Sequence, residues 1–281
     1  MSDLVVRRLM VDMAKPIAPD WSDGNVFRSA FLNALSMSFP QGEQFFIDSV
    51  RKGEALLKAA GDDSHAAAIK GFIGQEATHR HLHGQYNQHL TDLGYVNHWE
   101  HRIVYRRRWV EDKHTLHWLA ATAAYEHFTA IFAQWLLHNP QVLGNRDERL
   151  KTLWMWHAAE ESEHRSVAFD LYRALGGNEK WRKRWFRQVT WIFITDALRQ
   201  TFSHLRHDGQ LWRRRTWSEG WAFLLGRQGL LRGVYQDWRA YFRADFHPDE
   251  HDDSASRDWL AAHSAEFKVV GKAASTAQAT A

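Results

Sequence analysis

The chain contains no cysteine, which excludes disulfides, iron–sulfur clusters and thiolate catalysis and fits a reducing, cytoplasmic setting. Proline is scarce, with five in 281 residues, so little in the sequence interrupts helices. No apolar run reaches the roughly 18 residues a membrane span needs, and Met1-Ser2-Asp3-Leu4-Val5-Val6-Arg7-Arg8 lacks the order of a signal peptide. Strand signals are few. Apolar and charged residues instead alternate at helical period from about Asp23 to Arg243, which predicts an all-α fold. The net charge of +3 is small and no nucleic-acid-binding module accompanies it, so no nucleic-acid partner is expected.

What the chain does have is a pattern that occurs twice: Glu43 with Glu76-x-x-His79, then Glu126 with Glu161-x-x-His164. Fourteen glutamates and eighteen histidines would give about one Glu-x-x-His by chance, so the motif alone is weak. A third copy, Glu111-x-x-His114, follows Arg106-Arg107-Arg108 and has no matching carboxylate; it reads as a surface helix start. The other two copies are set apart by symmetry. Each glutamate precedes its Glu-x-x-His by 33 or 35 residues, with the midpoint at Ala59-Ala60 beside Gly61-Asp62-Asp63-Ser64, or at Leu143-Gly144. In an antiparallel helical hairpin, residues equidistant from the turn lie level, and positions i and i+3 share a face. At about 1.5 Å per residue the shared level lies roughly 25 Å from each turn, inside a bundle.

One glutamate from each of two helices and a Glu-x-x-His from each of two others is the ligand set of ferritin-like dinuclear proteins. The expected fold is therefore a ferritin-like four-helix bundle with a long crossover and additional C-terminal helices. Residues 1–22 read as an extended leader and 23–175 as the metal-binding bundle. Residues 176–250 read as a Trp/Arg-rich helical extension packed on the bundle, and 251–281 as a largely disordered tail. Within the bundle a short helix over Asp23–Phe39 is expected to end at Pro40. Metal-bearing helices are expected over Gln41–Ala60, Asp63–Leu93, His114–His138 and Arg146–Leu175, with Asp92–Lys113 as the crossover. The extension mixes Arg and Lys with seven tryptophans. Packing with arginines turned outward is favoured over peripheral contact with an anionic membrane.

Ser38-Phe39-Pro40-Gln41-Gly42-Glu43-Gln44-Phe45-Phe46, Gln75-Glu76-Ala77-Thr78-His79, Glu126-His127-Phe128-Thr129 and His157-Ala158-Ala159-Glu160-Glu161-Ser162-Glu163-His164 together resemble the bacterial family of predicted metal-dependent hydrolases. The resemblance runs from the leader to Phe246-His247-Pro248. It implies a metal-dependent enzyme and agrees with the hairpin geometry, while the motifs themselves do not demand hydrolysis.

The expected metal ligands are Glu43, Glu76, His79, Glu126, Glu161 and His164, holding two ions, with Glu76 and Glu161 bridging and one histidine terminal on each. Oxygen and imidazole donors without thiolate favour iron, then manganese, over structural zinc. Glu43, Glu76, Glu126 and Glu161 are also the catalytic candidates. His83 and His157, one turn away, are candidate extra ligands, proton carriers or partners of the ligating carboxylates. Glu160, rotated by about 100 degrees, is a weaker candidate, and Glu163 reads as solvated. Asp170 is left without a role. Thr122 and Thr129 share the face of Glu126, and Phe45, Phe46, Phe128 and Trp154 are expected to wall a cavity for a small apolar substrate.

Three functions fit. The ligand set leans toward dioxygen-dependent oxidation by a di-iron site, supplied with electrons by another protein because no nicotinamide or flavin motif is present. The alternative is hydrolysis by a metal-bridging hydroxide; metal storage ranks last. A C2 homodimer is the base-rate expectation for assembly.

Overall fold

A computed structural model describes residues 4–270; the last residues of the expected disordered tail, 271–281, lie outside the described residues. The architecture is all-α apart from one short strand pair. Helices α1 (Val26–Ala59) and α2 (Ala66–Asp92) form the first hairpin, and α4 (Thr115–His138) and α5 (Glu148–His164) form the second. The crossover between them is itself helical, as α3 (His98–Glu111), and packs on α1. α4 also packs on α1, and α5 on α2, so the four long helices enclose a common interior. Among the described residues no helix is long and apolar enough to cross a membrane.

The first turn follows its sequence cues. Gly61 takes φ +77°, and the Asp62 N–H reaches back to the Leu57 carbonyl at 2.9 Å, closing the helix with a left-handed glycine cap. Glu111 ends α3, and the His114 side chain caps α4 by accepting from the Leu116 N–H, so the third Glu-x-x-His straddles two helix ends instead of starting one.

Pro40 does not end a helix. α1 runs unbroken through it for 34 residues. Proline removes the N–H that would bond the carbonyl four residues earlier, here that of Ser36. Asn87 of α2 replaces it, donating from Nδ2 to the Ser36 carbonyl at 2.9 Å. The helix expected over Arg146–Leu175 does break, between α5 and α6 (Val167–Ala174). Arg165 sits at the break, and its guanidinium takes the Ser162 carbonyl at 2.7 Å as well as those of Pro248 and His251.

Beyond the bundle, α7 (Glu179–His207) packs on α1 and α4 through Phe186, Val189 and Ala197, followed by α8 (Arg214–Leu225) and α9 (Leu230–Ala240). The extension packs through these residues and not through most of its tryptophans. Trp185 and Trp238 are half-buried, whereas Trp191, Trp212 and Trp221 are 73 %, 90 % and 68 % exposed. The tail is ordered up to residue 270, contrary to expectation: α10 (Ser254–Ala262) packs on α5, held by Ser256 Oγ donating to the Ala159 carbonyl. Strand β2 (Phe267–Val269) then pairs antiparallel with β1 (Arg7–Leu9) of the leader. The leader lies against α2 where Gly71 and Gly74 leave room: a Cβ at either would meet Leu4 or Val6 at 2.4 Å.

The core is split into two apolar clusters. On α1 one ends at Phe39 and the other begins at Phe45; on α2 one contains Phe72 and the other begins at Leu82. On α5 and α6 the division falls between Ala159 and Val167. A layer of buried polar side chains occupies the gap.

Candidate metal centre

Glu43, Glu76, His79, Glu126, Glu161 and His164 all lie in that layer and are all buried. Two sets of ligand atoms lie within 4.8 Å of one another: Glu43 with His79 and His157, and Glu76 with Glu161 and His164. Glu126 joins the second set, its Oε2 being 3.5 Å from His164 Nε2. Glu161 links the sets, because its Oε1 lies 2.8 Å from His157 Nε2 and 3.7 Å from both His79 Nδ1 and His164 Nε2. Glu76 Oε1 is 3.3 Å from His164 Nε2, within the second set.

Four buried carboxylates in one layer repel one another. Burial and the neighbouring glutamates hold Glu43 and Glu126 well above the ordinary carboxylate range, and burial pushes Glu76 up to about 7 against the pull of His164. Burial would raise Glu161 too, but His164 and His157 hold it well below that range. Both oxygens of Glu43, Glu76 and Glu126, one oxygen of Glu161, and His79 Nδ1 and His164 Nε2 have no hydrogen-bond partner among the described residues. Buried polar atoms are normally paired. Two divalent ions would neutralise four carboxylates and engage these atoms, so the residues fit such a pair in both charge and donor type.

Three histidines have their outer nitrogens tied, which fixes the tautomer each presents to the centre. His79 Nε2–H donates to Glu160 Oε2 at 3.0 Å, leaving the Nδ1 lone pair inward. His164 Nδ1–H donates to Gln75 Oε1 at 2.9 Å, with the amide oriented by donation from Nε2 to the Val5 carbonyl and Glu163. The His164 Nε2 faces the glutamates, which against the pull of burial hold this imidazole well above the ordinary histidine range, and is the nitrogen that would turn a lone pair to a bound ion. The third chain begins at Asn87, whose Nδ2 is spent on the Ser36 carbonyl. Its Oδ1 therefore accepts from Ser36 Oγ–H at 2.7 Å. Ser36 Oγ then accepts from His83 Nδ1–H at 2.8 Å, and His83 Nε2 from His157 Nδ1–H at 2.7 Å. With Nδ1–H committed to His83, the nitrogen that His157 turns toward Glu43 and Glu161 is Nε2, 2.8 Å from Glu161 Oε1, and this is the atom that would offer a lone pair to a bound ion. The Ser36 carbonyl that Pro40 leaves without its helical N–H and the imidazole in α5 are thus joined by one hydrogen-bonded chain.

Two residues differ from their sequence expectations. Glu160 is fully buried and contacts His79, and Glu163 is not simply solvated: it accepts from Arg7 at 2.7 and 3.0 Å. Arg7 also donates to Glu160 Oε1 at 3.1 Å. Burial pushes Glu160 up to about 8, opposed by Arg7, so the leader arginine favours the ionised acceptor that His79 needs. Sequence reasoning missed Arg7, Gln75, Ser36 and Asn87. A signal existed for one of them, since Gln75 and Glu160 occupy the same place immediately before each Glu-x-x-His. Thr129 back-bonds to the Glu126 carbonyl at 3.0 Å, and Thr122 is buried without a partner. Asp170 lies apart, accepting from His247.

The centre meets two cavities between the bundle and the extension. One, of about 400 Å³, reaches Glu43 past Phe45 and Phe46; the other, of about 450 Å³, reaches His157 and Glu161 past Phe128 and Trp154. All four expected aromatic walls are present. An all-α protein with a buried layer of glutamates and histidines beside apolar cavities belongs to the class of metal-binding helical proteins. This chain is a member of the family described as predicted metal-dependent hydrolase, whose model matches residues 5–252. No curated protein and no solved structure matches it.

Proposed function

We propose that the protein is a metal-dependent enzyme that holds two divalent ions between its hairpins, in a ferritin-like arrangement, and acts on an apolar organic molecule. The observation that carries this is the convergence of unpaired, buried carboxylate and imidazole atoms on one layer that opens into both cavities. Glu43, His79 and His157 would hold one ion, Glu76, Glu126 and His164 the other, with Glu161 between them.

Hydrolysis is the reaction that the family description supports. Two bound ions would supply Lewis acidity toward a carbonyl or phosphoryl oxygen and make water acidic enough to react. The chain's own contribution is positional. Asn87, Ser36 and His83 hold His157 in one tautomer, and Phe39 packs against both His83 and His157 with ring centroids 4.6 Å away. Phe45, Phe46 and Phe128 keep bulk water from the carboxylates, which strengthens electrostatic interactions there.

Oxidation by dioxygen is a second reading, favoured by the carboxylate-rich ligand set in a helical bundle and by the almost wholly apolar wall of the larger cavity, which offers little to fix a polar scissile group. It would require an electron-donating partner protein. The test is elemental analysis of purified protein, then assay of manganese-, zinc- and iron-loaded samples on acyl esters under nitrogen and under air. Two ions per chain with ester cleavage independent of oxygen supports hydrolysis. Oxygen uptake by the reduced iron form alone would put oxidation first, and no stoichiometric metal would sink both.

A further inference from the structure

The two cavities adjoin. Phe39, Thr129 and Phe193 belong to the walls of both, and the centre lies at this junction, with Glu43 on one side and His157 and Glu161 on the other. From the junction the smaller cavity follows α4 out to His117, twelve residues from Thr129 and hence about 18 Å along the helix. It is mainly apolar and bordered by α7: Phe193 sits near Tyr125, and Trp181 and Trp185 flank His117.

The outer end has a different character. Arg106, Arg107, Lys113 and Arg184 line this cavity, and among the described residues its one acidic side chain is that of the buried Glu43 at the far end. Two of the four cations are already committed: Arg106 to Asp196, and Arg107 to Asp48 at 2.7 Å. Lys113 and Arg184 have no carboxylate within 4 Å among the described residues. Arg184 rests over the Trp181 ring, 5.0 Å from its centroid. A long apolar passage that ends in two uncommitted cations and tryptophans complements a molecule with a hydrocarbon body and an anionic end.

We propose that the passage binds an amphiphilic anion, its hydrocarbon chain running along α4 toward the centre and its carboxylate or phosphate at Lys113 and Arg184. The head group at the outer end then leaves the hydrocarbon portion remote from the charge, not the charged end, nearest Glu43. The proposal deepens the functional reading above and rests on it for the location of the reacting centre.

Tryptophans at the outer end provide the probe: fluorescence titration of the full-length protein with octanoate, laurate, palmitate, palmityl phosphate and hexadecanol. Affinity should rise from octanoate to palmitate, and palmitate should bind about tenfold or more tightly than hexadecanol, as expected for charge-assisted contacts. In the Lys113→Glu/Arg184→Glu variant, both surface positions, that gap should close while hexadecanol binding persists. Whichever of palmitate and palmityl phosphate binds more tightly identifies the head group. Equal binding of palmitate and hexadecanol, no dependence on chain length, or an unchanged gap in the double variant would overturn the proposal. Metal content measured on the same samples keeps the two ideas separable. Palmitate binding without stoichiometric metal would retain the passage and remove the centre, whereas two ions without palmitate binding would do the reverse.

Discussion

Gln75 on α2 accepts the Nδ1 proton of His164 on α5, while Glu160 on α5 accepts the Nε2 proton of His79 on α2. Each Glu-x-x-His carries, one position ahead, the residue that orients the other hairpin's histidine. Outer partners of metal-bound histidine typically contribute about 10- to 100-fold in affinity. Glu160→Ala and Gln75→Leu should each weaken metal binding by that order, measured by competition with a chromophoric chelator. Unchanged affinity in both variants would mean that the histidines need no such orientation.

Glu161 lies between the two sets of ligands, and Glu76 within one. Glu161→Ala should therefore abolish binding of a second ion, and Glu76→Ala should do so as well by leaving His164 with too few carboxylates. Glu111→Ala, at the exposed end of α3, should retain two ions. Elemental analysis decides, and two tightly held ions in Glu161→Ala would refute its linking role.

Much of this centre can be read from the sequence because its geometry is local to hairpins. Equal spacing about Gly61 and Gly144 brings glutamates level with Glu-x-x-His pairs without knowledge of any distant contact. What could not be read depends on partners far along the chain. Pro40 predicts a helix end only while the amide of Asn87 is out of view. At the break after His164 the Arg165 guanidinium meets carbonyls of Pro248 and His251, more than eighty residues on, and nothing near Arg7 announces that it will meet Glu160. Residues 254–269 look too polar to fold, and they order by packing one side of α10 against α5.

The role assigned to Asn87 can be isolated by a double-mutant cycle. Asn87→Ala strands the Ser36 carbonyl and should cost about 1–3 kcal/mol in urea unfolding. Pro40→Ala restores the missing helical N–H, so in that background the same Asn87 change should cost less, with a coupling of about 1 kcal/mol. Additive losses would show that the amide does not compensate for the proline.

Two buried histidines away from the centre set an acid limit on stability. Burial pushes His204 down to about 4 and His127 down to about 3. His204 is held neutral between the Ala30 carbonyl and Gln200, and His127 donates to the Asp237 carbonyl. Below the ordinary histidine value of about 6.5 the unfolded chain gains protons that the folded chain refuses. Stability should fall as pH drops from about 6.5 to 4, and further toward 3 for His127, by at most about 1.4 kcal/mol per pH unit per histidine. His127→Phe should flatten that slope in urea titrations from pH 7 to 4, and an identical slope would assign the acid sensitivity elsewhere.

Arg7 reaches Glu160 from a strand whose partner is Val269, so two segments at opposite ends of the described chain must meet before His79 acquires its final orientation. Closing so long a loop is entropically costly and characteristic of late folding events. The hairpins can assemble their glutamates early, from contacts within each half. An ion that enters at that stage meets an imidazole still able to turn. Metal uptake should then proceed in two phases, capture by the carboxylates followed by slower tightening as β1 and β2 pair, with the strand pair expected to set when a bound centre would mature.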